Sequence, residues 1–275
     1  MTALFFDPAP LLDVCAVSDV GTGRDHNEDA CAAHLEATDC AIAAVADGVS
    51  SSPAGEVASA TAIEVLVRAF REEPATAAAG QRLYRAMQQA NIELYDRALA
   101  VPELRGMATT LTAVAVQRGE LTAVHVGDSR LYLVRSGAIA QLTKDHTAAA
   151  EKVKYGLMSK ERARDHPDKS VLTRSVGREL IVSRDRISQA LETGDLLVLC
   201  TDGLYNVLDD DEIARLACDG DATAAAQALV ATANERGTPD NVTAAVLRFT
   251  GPAAGRLAEA PGLGARLRRV LSWRR

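Results

Sequence analysis

The chain has 275 residues, carries a net charge of −7 and is 48% hydrophobic but only 4% aromatic. That is enough apolar material for one sizeable core or two small ones, packed by alanine, valine and leucine. No apolar run is long enough to span a bilayer, and the acidic balance argues against nucleic acid as the main partner.

The opening MTALFFDPAP has neither a basic region nor a long apolar segment, so no secretory signal is expected. The five cysteines are scattered and free of CxxC spacing, which predicts buried reduced thiols in a cytoplasmic protein; Cys40 and Cys200 sit in apolar, strand-like runs. Charge is unevenly spread. From Gly251 onward there are six arginines and one glutamate, while the rest of the chain is a net −12.

In chain order, Asp13–Val20 alternates as a strand and runs into the loop GTGRDHNED. Ala30–Leu35 and Cys40–Ala46 read as further strands, the second breaking at Asp47-Gly48. Glu56–Phe70 and Leu83–Leu99 show helical periodicity, the latter with Leu83, Met87, Ala90, Leu94 and Ala98 as its inner stripe. A β-rich block follows: Thr109–Val116, Leu121–Val126, Arg130–Val134 and Ala138–Leu142. Thr143 to about Ser170 is charged and short-periodic and reads as one or two small helices in an excursion. Val171–Val176 is expected as a short strand. Leu196–Cys200 is a buried strand ending at Thr201-Asp202-Gly203. Asp209 caps a helix through Ala217, Ala222–Glu235 is another helix, and Val242–Phe249 is the last strand. Residues 251–275 form a basic, flexible tail whose GARLRRVLSWRR segment is amphipathic enough for weak contact with a membrane surface.

Four aspartates share one local grammar. Asp47 follows AIAAVA, Asp128 follows LTAVHVG, Asp202 follows LLVLCT, and Asp240 lies just before VTAAVLRF. One aspartate at a strand end is a turn residue. Four in one sheet system suggest termini that converge, and clustered carboxylates repel unless a cation compensates. No histidine pair or cysteine pair has metal-ligand spacing, so the expected donors are oxygens, which select Mg²⁺ or Mn²⁺ over Zn²⁺. Several carboxylates suggest two ions that activate a water for attack on phosphorus. Arg24 suits the same site, because a guanidinium holds a phosphate dianion bidentately.

The segments SDVGTGRDHNEDA, AVADGVSSSPAGEVAS, GMATTLTAVAV, VHVGDSRLYLVRSG, LTKDHT, VLTRSVG, CTDGLYNVL and TPDNVTAAVL together resemble the metal-dependent serine/threonine protein phosphatases (PPM family, type 2C), particularly their compact bacterial members. They come in the family's order and cover about residues 13–250. The resemblance implies an α+β fold, an αββα sandwich of two central antiparallel sheets flanked by helix pairs, with the metal site at one edge. It implies a phosphatase domain over residues 1–250, with a flap at about 147–170 beside the cleft. It makes Asp47 the carboxylate bridging two Mn²⁺ or Mg²⁺ ions, with the Gly48 carbonyl on the second ion and Asp202 and Asp240 completing the shell of the first ion. Asp128 matches the position of a third, weaker ion. Arg24 matches the phosphate-binding arginine, Glu28 and Asp29 the acidic pair behind the metal waters, and Asn241 the asparagine after the last ligand. His166, in the flap, is placed to touch substrate, whereas His146 is expected to serve as a local hydrogen-bond partner.

Two departures stand out. Ser50-Ser51 occupy the place of a Gly-Gly pair found in many members. Val49 stands where some eukaryotic members carry a histidine proposed as general acid. The function implied is hydrolysis of phosphoserine and phosphothreonine by direct attack of a metal-bridging hydroxide. No cysteine lies in a CxxxxxR loop that would indicate a phosphoenzyme. The implied setting is bacterial signalling in the cytoplasm, the implied partners a serine/threonine kinase and its targets, and a monomer is expected. A second reading is a catalytically weak regulatory module that binds a phosphoprotein or kinase. A third, a carboxylate two-metal hydrolase of nucleotides or nucleic acid, sits poorly with the acidic body.

Overall fold

Cys40–Asp47 (β3) is apolar along its whole length because both of its faces are covered. Ile42, Ala44 and Ala46 point to one hydrophobic cluster, while Ala41, Ala43 and Val45 point to another. In the structure, a computed structural model that describes residues 10–252, this doubly buried strand lies inside one of two stacked sheets. Sequence order explains the second sheet face: strands buried on both sides lose the apolar–polar alternation that marks a half-exposed one.

The first sheet has the order β1-β10-β9-β6-β7, built from Leu12–Asp19 (β1), Arg130–Arg135 (β6), Ala138–Gln141 (β7), Leu196–Cys200 (β9) and Val242–Phe249 (β10). The second has the order β2-β3-β4-β5-β8, built from Asp29–Ala37 (β2), β3, Leu111–Gln117 (β4), Glu120–Val126 (β5) and Asp185–Ala190 (β8). Every pairing in both sheets is antiparallel. Gly55–Glu72 (α1) and Ala79–Ala100 (α2) lie on the outer face of the second sheet. Their inward residues include the expected stripe Leu83, Met87, Ala90, Leu94 and Ala98, all buried. Asp210–Ala217 (α6) and Ala222–Glu235 (α7) cover the outer face of the first sheet. A third cluster, with Leu131, Leu199, Leu247 and Val114, fills the space between the sheets. This is the αββα sandwich.

The excursion beyond β7 holds two short helices, Ala148–Lys154 (α3) and Lys160–Arg164 (α4), and a 3₁₀ turn at Pro167–Ser170. A four-residue helix, Asp202–Tyr205 (α5), follows β9.

Two expectations are corrected, and a third falls outside the described residues. Val171–Val176 is not a strand: it contributes only isolated bridges, Thr109↔Val176 and Thr147↔Leu172, because the segment crosses between elements instead of joining a sheet. The strand in this part of the chain is β8, whose alternately half-buried and exposed residues mark a sheet edge. The cysteines are all free, as expected, but only Cys40 and Cys200 are buried; Cys15 and Cys31 are half-buried and Cys218 is exposed just past α6. The basic tail, apart from Gly251 and Pro252, lies outside the described residues. Among the described residues no helix is long and apolar enough to cross a membrane.

Candidate metal centre

Each acidic position is delivered by a strand end and fixed by backbone pairing. Asp47 ends β3 opposite Asp29 at the start of β2. Its amide donates to the Thr110 hydroxyl at 2.9 Å, and its carbonyl accepts from the Thr110 amide at 2.8 Å and from the Thr109 hydroxyl at 2.8 Å. Gly48 then turns the chain, its amide donating to the Glu28 carbonyl at 3.0 Å. A side chain at Gly48 would sit 2.3 Å from the Gly55 carbonyl oxygen, so only glycine lets the start of α1 pack this closely. Asp202 opens α5 directly after β9. The next residue, Gly203, would carry a Cβ 2.0 Å from the Asn241 carbonyl oxygen, which ties α5 to the loop of Asp240. Asp128 lies in the tight turn between β5 and β6, where the Tyr205 hydroxyl donates to its carbonyl at 3.1 Å.

Asn241 organises the loop that carries Arg24. Its side-chain amide donates to the carbonyls of Val20 and His26 at 2.8 and 2.9 Å, and its side-chain oxygen accepts from the Glu28 amide at 2.8 Å. Arg24 reaches across the opening. Its guanidinium donates to Asp240 Oδ2 at 3.0 Å and to Ser50 Oγ at 3.3 Å. Burial works against the Arg24 charge, but the Asp240 carboxylate outweighs it and holds its pKa above the ordinary value.

The electrostatics describe a site short of positive charge. Burial, then the charges of Asp29, Asp202, Asp128 and Asp240, push the Asp47 carboxyl well above its ordinary range. Burial and Asp202 do the same to Asp128. Asp202 rises to about 6 through burial and Asp240, opposed by Arg24, Asn206 and Lys169. Asp29 rises to about 7, mainly through burial, even though its Oδ2 accepts from the hydroxyls of Thr201 and Thr243, both at 2.7 Å. Its other oxygen, Oδ1, is buried with no partner.

An orphaned carboxylate oxygen beside mutually repelling carboxylates calls for a cation and the water it carries. The donors are all oxygens, which fits a hard divalent ion. The fit lies in this donor set and in its uncompensated burial. Among the described residues no three His, Cys, Asp or Glu side chains close into a ready coordination shell, and Arg24 engages one carboxylate directly.

The other expected residues divide. His146 is a structural partner: its Nδ1 accepts from the Gly127 amide at 3.1 Å, and Arg174 and Asp185 flank its Nε2. His166 caps the Pro167 turn, accepting from the Asp168 amide at 3.0 Å, and makes no hydrogen bond to the carboxylate cluster. Ser50 and Ser51 keep negative φ, since among the described non-glycine residues only Ala54, Arg118 and Ser136 adopt the left-handed region. The serines therefore replace glycine without strain, and Ser50 gains a contact to Arg24.

Sequence reasoning missed the groups behind the site. Thr110, Thr201 and Thr243 look like ordinary strand threonines, and nothing in their spacing marks the hydroxyls that hold Asp47 and Asp29. It also missed a half-buried buttress: Arg130 forks onto Asp145 at 2.8 Å and stacks 3.6 Å above the Tyr205 ring. Through Tyr205 this stack links the helix of Asp202 to the turn of Asp128.

Comparison with known proteins agrees with the architecture. The family described as Protein phosphatase 2C matches residues 22–245. The chain is 35% identical over 230 residues to the serine/threonine phosphatase stp of Listeria monocytogenes, covering 82% of this chain and 91% of that protein. Among solved structures it is similar to the serine/threonine phosphatase Stp1 from Staphylococcus aureus, with TM-score 0.82, 30% identity, and coverage of 91% of this chain and 100% of that one. It is also similar to the catalytic domain of the serine threonine protein phosphatase PstP in complex with two manganese ions, with TM-score 0.75, 31% identity, and coverage of 87% and 99%.

Proposed function

The chain belongs to the protein phosphatase 2C family, and from that premise we infer that it is a metal-dependent phosphoprotein phosphatase acting on phosphoserine and phosphothreonine. The observation that carries this reading is Arg24, half-exposed at the mouth of a half-buried, positively undercompensated carboxylate cluster. We assign Asp47, the Gly48 carbonyl, Asp202 and Asp240 to two divalent ions, Mn²⁺ or Mg²⁺, and Asp128 to a third, weaker one. When bound, such ions would supply Lewis acidity that lowers the pKa of a coordinated water and would offset charge on the phosphoryl oxygens.

The chain's own residues supply the rest. Arg24 keeps donors beyond those it gives to Asp240 and Ser50, and these hold the phosphate dianion in a bidentate geometry. Asp29 Oδ1, free while Oδ2 is held by two threonines, accepts a hydrogen bond from water in the cluster and fixes its orientation. Asn241 sets the path of residues 20–28 and so the reach of Arg24. Glu28 sits behind the site, its carboxylate packed near Gly55. Val49 has no ionisable side chain, so no side-chain group at that position protonates the leaving alcohol. We place His166 at the substrate side of the flap, as a contact outside the ion-binding set. The substrates expected are targets of a serine/threonine kinase in a bacterial cytoplasm, and the kinase itself. Contact of residues 251–275 with a membrane is a separate, weaker proposal.

The test is hydrolysis of p-nitrophenyl phosphate and a phosphothreonine peptide with Mn²⁺, for the wild type and Asp202→Ala. Loss of turnover in the variant is expected. Equal rates would remove the assignment.

A further inference from the structure

The chain has five lysines, and all of them, Lys144, Lys152, Lys154, Lys160 and Lys169, lie within one stretch of 26 residues. Residues 147–178 hold eight Lys and Arg against four Asp and Glu, whereas the rest of residues 1–250 holds 16 against 32. A basic excursion on so acidic a body is not a generic solubilising surface, which would intersperse both signs.

The excursion satisfies itself without using most of these cations. Thr147 and Ser159 cap α3 and α4, and His166 caps the 3₁₀ turn. Lys152 pairs with Asp168 at 2.5 Å, strapping α3 to that turn. Lys154, Lys160, Arg162, Arg164 and Lys169 are all exposed, and none forms an ion pair among the described residues. The surface also shows Tyr155 and Leu157, exposed at 69% and 75%. The chain leads from α4 through the turn to Lys169, whose charge reaches Asp202 at the metal centre. Unpaired cations therefore run from the excursion towards the carboxylate cluster.

We propose that Lys154, Lys160, Arg162, Arg164 and Lys169 form a docking surface for acidic segments flanking the phosphorylated residue, so that the enzyme selects phosphopeptides rich in Asp and Glu. The proposal rests on the phosphatase reading and narrows its substrate class. The occupant follows from charge complementarity. A carboxylate-bearing peptide is repelled by the acidic body and attracted by this excursion, which both steers encounter and fixes the direction in which the peptide lies. Tyr155 and Leu157 give such a peptide an apolar rest between its charges.

The experiment compares three phosphothreonine peptides that differ only in their flanks: acidic, isosteric amide and basic. kcat/KM is measured with Mn²⁺, with p-nitrophenyl phosphate as a reference lacking flanks. The wild type is expected to favour the acidic peptide about tenfold over the amide peptide. The preference should fall to twofold or less in Lys154→Gln/Lys160→Gln/Arg162→Gln/Arg164→Gln, and should shrink in the wild type between 0.05 and 0.5 M NaCl, as exposed charge pairs are screened (~10 Å at 0.1 M). The salt series needs no variant, so it stands even if the fourfold variant folds poorly. Hydrolysis of all three peptides at equal rates would overturn the docking surface while leaving the phosphatase reading intact. Hydrolysis of none would remove both. Binding to phosphatidylserine vesicles that the variant loses, with peptide preference unchanged, would assign the surface to a membrane and overturn the proposal.

Discussion

β3 and the basic excursion are held by opposite means. β3 is buried from Cys40 to Ala46, paired on both sides, and ends in Asp47 with each backbone group of that residue engaged by Thr109 and Thr110, just ahead of β4. The excursion over residues 147–178 has helices of seven and five residues, of which only Ala149 is buried. It is held by caps, one strap between Lys152 and Asp168, and isolated bridges. The strand end gives a fixed address to a charge that would otherwise be expelled. The excursion offers charges that water already solvates and whose exact position matters less. Fixed chemistry is placed on ladders, and recognition on surface that tolerates change.

The largest way to break this comparison is at the strand end. Asp47→Asn keeps the shape of the residue and removes one charge from five neighbouring carboxylates. Turnover with Mn²⁺ is expected to fall by about three orders of magnitude or more if Asp47 holds the ions as proposed. Stability should move the other way. Without metal, Asp47→Asn is expected to melt at a higher temperature than the wild type, since an unpaired buried charge is costly to keep. Mn²⁺ should raise the melting temperature of the wild type well beyond that of the variant. Calorimetry with and without MnCl₂ checks both; an equal Mn²⁺ shift in the two proteins would contradict the role of Asp47.

This division also decides what was legible in the sequence. The two-sided strands β3, β4, β9 and β10 announced themselves as uninterrupted apolar runs, and the aspartates beside the ends of β3, β5, β9 and β10 shared a grammar that repeated four times. α5 was too short for any periodicity. β8 reads DRISQA, with polar residues on both registers, because it pairs only with β5 at an edge and hides half of each alternate side chain. Val171–Val176 has the composition of a strand, yet it spans between elements and bonds at single points. The threonines that position Asp29 and Asp47 carry no signal of their own, since strand propensity alone accounts for them. Charge at Lys154 through Lys169 was plainly readable, but that it stays unpaired and leads to Asp202 depends on the fold.

A smaller effect tests the ground between the two regions. His125 on β5 is buried, with Nε2 donating to the Lys144 carbonyl at 3.1 Å and Nδ1 facing the Thr112 hydroxyl at 2.8 Å. Burial and the His146 ring, 4.6 Å away, lower its pKa from the ordinary 6.5 to about 4, while Asp145 and Asp185 oppose the shift. A histidine depressed on folding contributes stability that is complete above pH 6.5 and lost as pH falls towards 4, because the unfolded chain binds the proton first. The loss between pH 7 and 5.5 is on the order of 1 kcal/mol from this group. Urea unfolding at the two pH values, for wild type and His125→Gln, checks the sign: the variant should show the shallower dependence.

The smallest effect sharpens the comparison most. Leu157 on the excursion is 75% exposed, whereas Ile42 on β3 is 1% exposed. Both are large aliphatic residues, so identical truncation reads only their surroundings. Ile42→Ala leaves a cavity between β3 and the α1–α2 layer and should cost about 2–5 kcal/mol. Leu157→Ala removes atoms that water already touches and should stay within about 0.5 kcal/mol of the wild type in urea unfolding. If Leu157→Ala instead cost as much as a core truncation, the excursion would be folded against the body as part of its core. Its exposed cations would then be spacers along a rigid wall, and the contrast between a fixed strand end and a solvated recognition surface would fail.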